Sequence, residues 1–213
     1  MKIALYGASG TLGRRIAQEA LLRGHELTAI VRDPARVDLH NERLTVIPGD
    51  ARDAAIVVRL VRGHDAVVSA VGPGHDEPPT VLVDTARSLL AGTEQAEVRR
   101  LLAVGGAGSL ETAPGLRLMD SPRFPPDWKP VAQAHADALA IYRAYAGDVD
   151  WTYLSPANLI APGERTGHYR TGTEQLVRDD QGKSFISAED FAIAVADELE
   201  QPQYVRQRFT VAY

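Results

Sequence analysis

The stretch Met1-Lys-Ile-Ala-Leu-Tyr6, followed by Gly7-Ala-Ser-Gly10-Thr-Leu-Gly13 and the run from Arg14 to Arg32, decides how the remaining chain is read. Lys2 to Tyr6 is a short apolar run, and it breaks into three glycines spaced three residues apart. Leu12, Ile16, Ala17, Ala20 and Leu21 then recur at helical spacing, the pattern stops at Arg23-Gly24, and Glu26 to Val31 is a second apolar run. The order is strand, glycine turn, helix, strand.

Each glycine has a separate physical task. The first permits a tight turn off the strand, the second lets backbone come close to a pyrophosphate, and the third lets the helix pack near the sheet. The helix N-terminus offers free N–H groups and the positive end of its dipole to phosphates. A bare glycine triplet is weak evidence, and GxxGxxG is not the commoner GxGxxG spacing. Its position between a strand and a helix, with a second strand beyond, points to a dinucleotide site rather than a merely structural turn.

Arg32 bears on which dinucleotide. A carboxylate at the end of the second strand would hold a ribose 2′-hydroxyl, whereas an arginine there can grip a 2′-phosphate with its planar fork. Asp33 follows at once, so both residue types stand at the strand end. The reading favours NADP(H) over NAD(H), against the alternative of an ordinary solvated arginine.

Composition sets the bounds. At 213 residues with 45% apolar content the chain suits a single domain over 1–213, and a second domain would have to be very small. A net charge of −5 with scattered arginines argues against nucleic acid or an anionic membrane as partner. With no cysteine, disulfides, thiol catalysis and thiolate metal sites are excluded. No apolar run reaches the ~18 residues of a membrane span and no signal-peptide pattern opens the chain, so a soluble cytoplasmic protein is expected.

Further along, Arg43 to Ile47 reads as a third strand closed by Pro48-Gly49-Asp50, Asp53 to Arg62 as a helix, and Asp65 to Val71 as a fourth strand, apolar throughout as in a parallel sheet. Thr80 to Leu90 is a helix, Arg99 to Val104 a fifth strand, Val131 to Tyr145 a helix and Asp150 to Ser155 a sixth strand. Ser184 to Ser187 is a short strand, Ala188 to Glu200 a helix, and Arg206 to Tyr213 an expected edge strand. Such alternation implies an α/β fold, a doubly wound, mostly parallel sheet with helices on both faces, and a ligand at the carboxyl ends of its strands.

Two long loops interrupt the pattern, at about 105–130 and 156–183, and together they make a small C-terminal substrate lobe. The first carries four prolines between Asp120 and Pro130. Loops of that length inside a compact domain are more often functional than idle. Met119, Phe124 and Trp128 could wall the site, or could simply pin the loop. Ser187-x-x-Asp190 has capping-box-like spacing, which gives Asp190 a structural reading ahead of a catalytic one.

GASGTLG at 7–13, AIVRDP at 29–34, PGD at 48–50, VVSAVG at 67–72, and later WTYLSPANL, GERTGHYRTG, SFISAEDFA and RFTVAY, resemble the atypical short-chain dehydrogenase/reductases over essentially the whole chain. The nearest branch holds NmrA-like proteins, biliverdin reductase B-like flavin reductases and bacterial NAD(P)H-binding oxidoreductases. The resemblance implies a Rossmann-like fold and a cofactor seat made of Gly7, Ser9, Gly10, Thr11, Leu12 and Gly13, then Arg32, then Asp50 and Ala51 against the adenine. Ser69, Ala70, Val71 and Gly72 follow the fourth strand, Val104 and Gly105 the fifth, and Pro156, Ala157 and Asn158 correspond to the segment that contacts the nicotinamide carboxamide. For Asp50 a helix-cap or turn role is the alternative, and both can hold.

Catalytic groups are harder to find. The YxxxK pair of the standard family members, in which Lys lowers the Tyr pKa, is missing. His135 stands where that Tyr would fall, with Leu139 four residues on. The Ser and His of the biliverdin reductase B-like branch fall at Gly106 and Asn158, so that pair does not carry over. His135 and Ser109 remain as candidates, and for His135 the alternative is an ordinary histidine on the helix surface. The other five histidines show no ligand spacing, and no metal site is expected.

Hydride transfer to a flavin or quinone needs mainly two planar rings held face to face, with protons from water. The first reading is therefore an NAD(P)H-dependent oxidoreductase, an NADPH-dependent reductase of a flavin, quinone or similar small hydride acceptor, as monomer or homodimer. Its rival is a non-catalytic NADP(H) sensor of NmrA-like type, and a third reading is an epimerase or dehydratase, which the missing Tyr and Lys disfavour.

Overall fold

Apolar runs too uniform to alternate need cover on both sides, and the chain supplies it. The computed structural model describes residues 1–74 and 77–213. In chain order it forms β1 (Lys2–Tyr6), α1 (Thr11–Leu22), β2 (Glu26–Val31), β3 (Leu44–Pro48), α2 (Ala54–Val61), β4 (Ala66–Ser69), α3 (Val81–Gln95) and β5 (Arg100–Val104). A hairpin follows, β6 (Glu111–Ala113) with β7 (Leu116–Arg117), and then α4 (Lys129–Ala144) and β8 (Asp150–Ser155). The chain continues through β9 (Leu159–Ala161), β10 (Arg170–Gly172), β11 (Phe185–Ser187), α5 (Ala188–Glu200) and β12 (Gln207–Ala212).

Eight strands make one sheet in the order β10-β12-β8-β5-β4-β1-β2-β3. All its neighbours pair in parallel except β10 with β12. The order reverses between β1 and β4, the switch point at which a doubly wound sheet leaves a crevice. In β1 the pleat sends Ile3 and Leu5 toward α1 and α5, while Ala4 and Tyr6 pack with residues of α2, α3 and α4. All four are at most 1% exposed, which is why no two-residue period was visible.

Two corrections to the sequence reading concern the later elements. β12 is not an edge strand, because β10, drawn from the second long loop, pairs along its far side. And α3 runs to Gln95, past the expected stop at Leu90. Gly92 lets α3 press on α2, since a β-carbon there would lie 2.5 Å from Val57 Cγ1.

The helix starts follow their side chains. Asp53 caps α2 by accepting from the Ile56 N–H at 3.1 Å, and Ser187 caps α5 by accepting from the Asp190 N–H at 2.9 Å. The fully buried Asp190 carboxylate then takes hydrogen bonds from the Thr166 and Gly167 amides, the Thr166 hydroxyl and the Tyr213 hydroxyl. Its role is to fasten the second long loop to α5. No helix among the described residues is long and apolar enough to cross a membrane.

Candidate functional site

The glycine turn is built as its spacing implies. Gly7 has φ +85°, and a β-carbon there would sit 2.5 Å from the Ala70 carbonyl oxygen. A β-carbon on Gly13 would overlap the Gly7 carbonyl, so that glycine brings α1 onto the turn. Gly10 differs from both. Its added β-carbon meets only the Gly7 oxygen, at 3.4 Å, and its other side faces a cavity. Gly10 is also the N-cap of α1, with no side-chain cap bond and no acidic residue in the first turn, so the amides there lack a side-chain acceptor.

That cavity has a volume of about 410 Å³ and follows the carboxyl ends of β3, β2, β1, β4 and β5. Four inter-strand spacings make it ~19 Å long. Gly7, Ser9, Gly10, Thr11 and Leu12 line its middle, with Ala70, Val71 and Gly72 opposite. Arg32, Asp50 and Ala51 line the end at β2 and β3, and Val104, Gly105 and His135 line the other. The open side of Gly10 and the uncapped turn of α1 make a cradle that fits a pyrophosphate.

Not every predicted residue reaches this cavity. Gly13 supports the turn from behind, and Ser69 is buried in β4. Ala157 lies in the core, the Pro156 carbonyl accepts from Thr210, and the exposed Asn158 donates its amide to Ser184. These three residues sit beside the β5 end of the cavity without lining it. Ser109 is off the cavity altogether, with its Oγ accepting from Nη1 of the buried Arg208 at 2.8 Å. Met119 is buried, and Phe124 and Trp128 form an edge-to-face pair with Trp128 exposed, so the three pin their loop and leave the cavity unwalled.

His135 does line the cavity, half-buried, and its state can be derived. The Tyr153 hydroxyl donates to the His135 backbone carbonyl at 3.0 Å, and the same oxygen lies 3.1 Å from Nδ1. A hydroxyl has one hydrogen, and with it on the carbonyl Nδ1 carries the ring proton and Nε2 is left as an acceptor. Burial lowers the imidazole pKa to about 4, so the ring is neutral near pH 7. Two glycines make room for this pair, because a β-carbon on Gly105 would enter the Tyr153 ring and one on Gly106 would lie 2.8 Å from the His135 ring. His75 lies outside the described residues. Among those described, no group of three or more His, Asp or Glu is placed to hold a metal ion.

The β2–β3 end is more highly charged than expected. Asp50 accepts from the Arg52 amide at 2.9 Å and pairs with the Arg52 guanidinium at 2.6 Å, which holds its carboxyl below the ordinary range. It is thus a turn residue and a cavity residue at once. Arg32 bonds to Glu77, whose carboxyl it keeps low, and Arg36 lines the same end. Glu77, Arg52, Arg36 and Tyr6 were not read from the sequence as site residues. Only Arg52 carried a signal, the Asp-x-Arg spacing of a side-chain-closed turn. Glu77 arrives from 45 residues beyond Arg32 with no motif to mark it.

Residues 7–202 match the family model described as NAD(P)H-binding. The uncharacterized protein YwnB of Bacillus subtilis (strain 168) is 40% identical over 216 residues, covering 99% of this chain and 98% of that one. A solved structure from Bacteroides thetaiotaomicron, provisionally described as an epimerase, is 42% identical with a TM-score of 0.91, covering 100% of this chain and 96% of that chain. Another, from Streptococcus pneumoniae TIGR4 and provisionally described as an NADH-flavin reductase, is 34% identical with a TM-score of 0.85, covering 100% and 99%.

Proposed function

We propose, on the premise that this chain belongs to the NAD(P)H-binding family, that it is a reductase using NADPH to reduce a flat conjugated acceptor such as a flavin or quinone. One observation carries the reading. A single cavity joins the glycine turn, a charged end where Arg32, Arg36 and Arg52 meet Asp50 and Glu77, and a nearly apolar end at Val104, Gly105 and His135, in the order a dinucleotide needs.

Bound there, the reduced nicotinamide supplies the hydride. The chain's own residues bind and orient. First-turn amides of α1 would meet the pyrophosphate, and Arg32, with Arg36 and Arg52 nearby, would meet a 2′-phosphate. Neutral His135 offers an acceptor at Nε2 and keeps its one ring proton on Tyr153, so it positions a donor group of cofactor or substrate instead of protonating a carbonyl. Ser109 is committed to Arg208. With neither candidate placed to give a proton, an acceptor that draws its protons from water suits the site better than a simple ketone. The Streptococcus pneumoniae relative's provisional description as an NADH-flavin reductase agrees in reaction type.

The test is anaerobic oxidation of NADPH by the purified protein against flavins, quinones and small carbonyls, followed by nicotinamide absorbance, with NADH in parallel. Turnover confined to flat acceptors supports the reading. Tight NADPH binding with no turnover across the panel would replace it with a dinucleotide sensor.

A further inference from the structure

The Arg32 guanidinium does not face an open anion seat. Its Nη1 donates to Oε1 of Glu77, the same oxygen lies 3.5 Å from Nη1 of Arg52, and Oε2 accepts from the Gly74 amide at 3.0 Å. The Glu77 side chain is 19% exposed, against 53% for Arg32 and 40% for Arg52. All four residues line the cavity. An ion pair between two long side chains at a surface would be unremarkable in itself. This carboxylate is different in having both oxygens used, one between two guanidinium groups and the other on backbone, at the strand end where a ribose would rest.

We infer that Glu77 sets the choice between the two nicotinamide dinucleotides, as a carboxylate that a ribose 2′-hydroxyl engages and that a 2′-phosphate must displace. The inference rests on reading the cavity as a dinucleotide site and goes beyond it. Sites that select NAD place an acidic acceptor for the 2′-hydroxyl at the end of the second strand. Here that strand ends in Arg32, and the acceptor is brought to it from the loop after β4. A 2′-phosphate would put like charge against Glu77 and compete with it for Arg32 and Arg52, in charge-assisted bonds of the same kind. The site therefore admits both dinucleotides, and the charge at position 77 handicaps the phosphorylated one.

Glu77→Gln keeps the shape and an acceptor for the Gly74 amide while removing the charge. Calorimetric dissociation constants of NADPH and NADH, and of adenosine 2′,5′-bisphosphate and adenosine 5′-monophosphate as probes without nicotinamide, would be measured for the full chain and the variant. The expected result is a shift of threefold or more in affinity ratio toward the 2′-phosphorylated member of each pair, with Glu77→Asp remaining nearer the parent. A smaller shift, or one toward the unphosphorylated member, overturns the role of Glu77 while leaving the dinucleotide site intact. Failure of the parent protein to bind any of the four overturns the underlying reading and the inference with it.

Discussion

His135 and Tyr153 hold each other through two contacts, Nδ1 to hydroxyl at 3.1 Å and hydroxyl to the His135 carbonyl at 3.0 Å. The arrangement suits a neutral ring, whose folded-state pKa of about 4 lies below the ordinary 6.5. As pH falls, the unfolded chain therefore takes up a proton before the folded one. Stability should drop between pH 6.5 and pH 4, by at most about 3 kcal/mol from this group. His135→Phe removes the titration, so urea midpoints of the variant should fall less steeply across that window than those of the parent. Parallel profiles would show that the imidazole is not buried in its neutral form.

Gly106 faces the same ring. A methyl group at this position would lie 2.8 Å from His135 Cγ, on a ring that its contacts with Tyr153 hold in place. Gly106→Ala should cost about 1–3 kcal/mol, the range for overpacking. In a His135→Ala background the same change should cost less, because the two nearest ring atoms are then gone and only the β-carbon at 3.1 Å remains. A double-mutant cycle measures the difference, and strict additivity would count against the contact.

The second glycine of the turn should fail in a different way from the third. Gly10→Val places its branches in the cavity from an extended backbone, with only one neighbour at 3.4 Å, so the protein should fold normally and lose dinucleotide binding. Gly13→Ala should instead lower the melting temperature, since its methyl meets the Gly7 carbonyl and α1 must move off the turn. Thermal melts and NADPH titrations on both variants separate the two effects. A folded Gly10→Val protein that titrates like the parent would remove the turn from the binding site.

Arg32→Ala should weaken NADPH by on the order of 1.5–3 kcal/mol through loss of charge-assisted hydrogen bonds, and leave NADH nearly unchanged. The affinities are read from quenching or enhancement of nicotinamide fluorescence. Equal losses for both cofactors would mean that Arg32 serves the site as a whole and does not read the 2′ position.

Much of this was legible from local pattern alone. Gly7 and Gly13 announced their structural tasks because each task is a property of one backbone position between a strand and a helix. The parallel core could be read from β1, β4 and β5, since burial on both faces leaves an unbroken apolar run. What escaped was set by distance in the chain. Nothing near Glu77 hints that it will meet Arg32, and nothing near Ser109 that Arg208 will claim it. The reach of α3 to Gln95 escaped for a related reason, because Gly92 is accommodated by Val57 across a helix interface and not by helix propensity. The histidine at 135 could be named but not given a state, since its tautomer is decided by a tyrosine on another strand.

β12 lies between β8 and β10, although it is the last strand and its partners precede it by tens of residues. During synthesis the sheet can assemble from β1 to β8 and must then wait. Until residue 212 has left the ribosome, β8 keeps a bare edge, β10 has nothing to pair with, and the face of α5 that covers Phe209 and Val211 is open to solvent. Closure of the sheet at this side thus waits on β12, and within residues 1–213 the β8 edge stays open to aggregation until that strand is made.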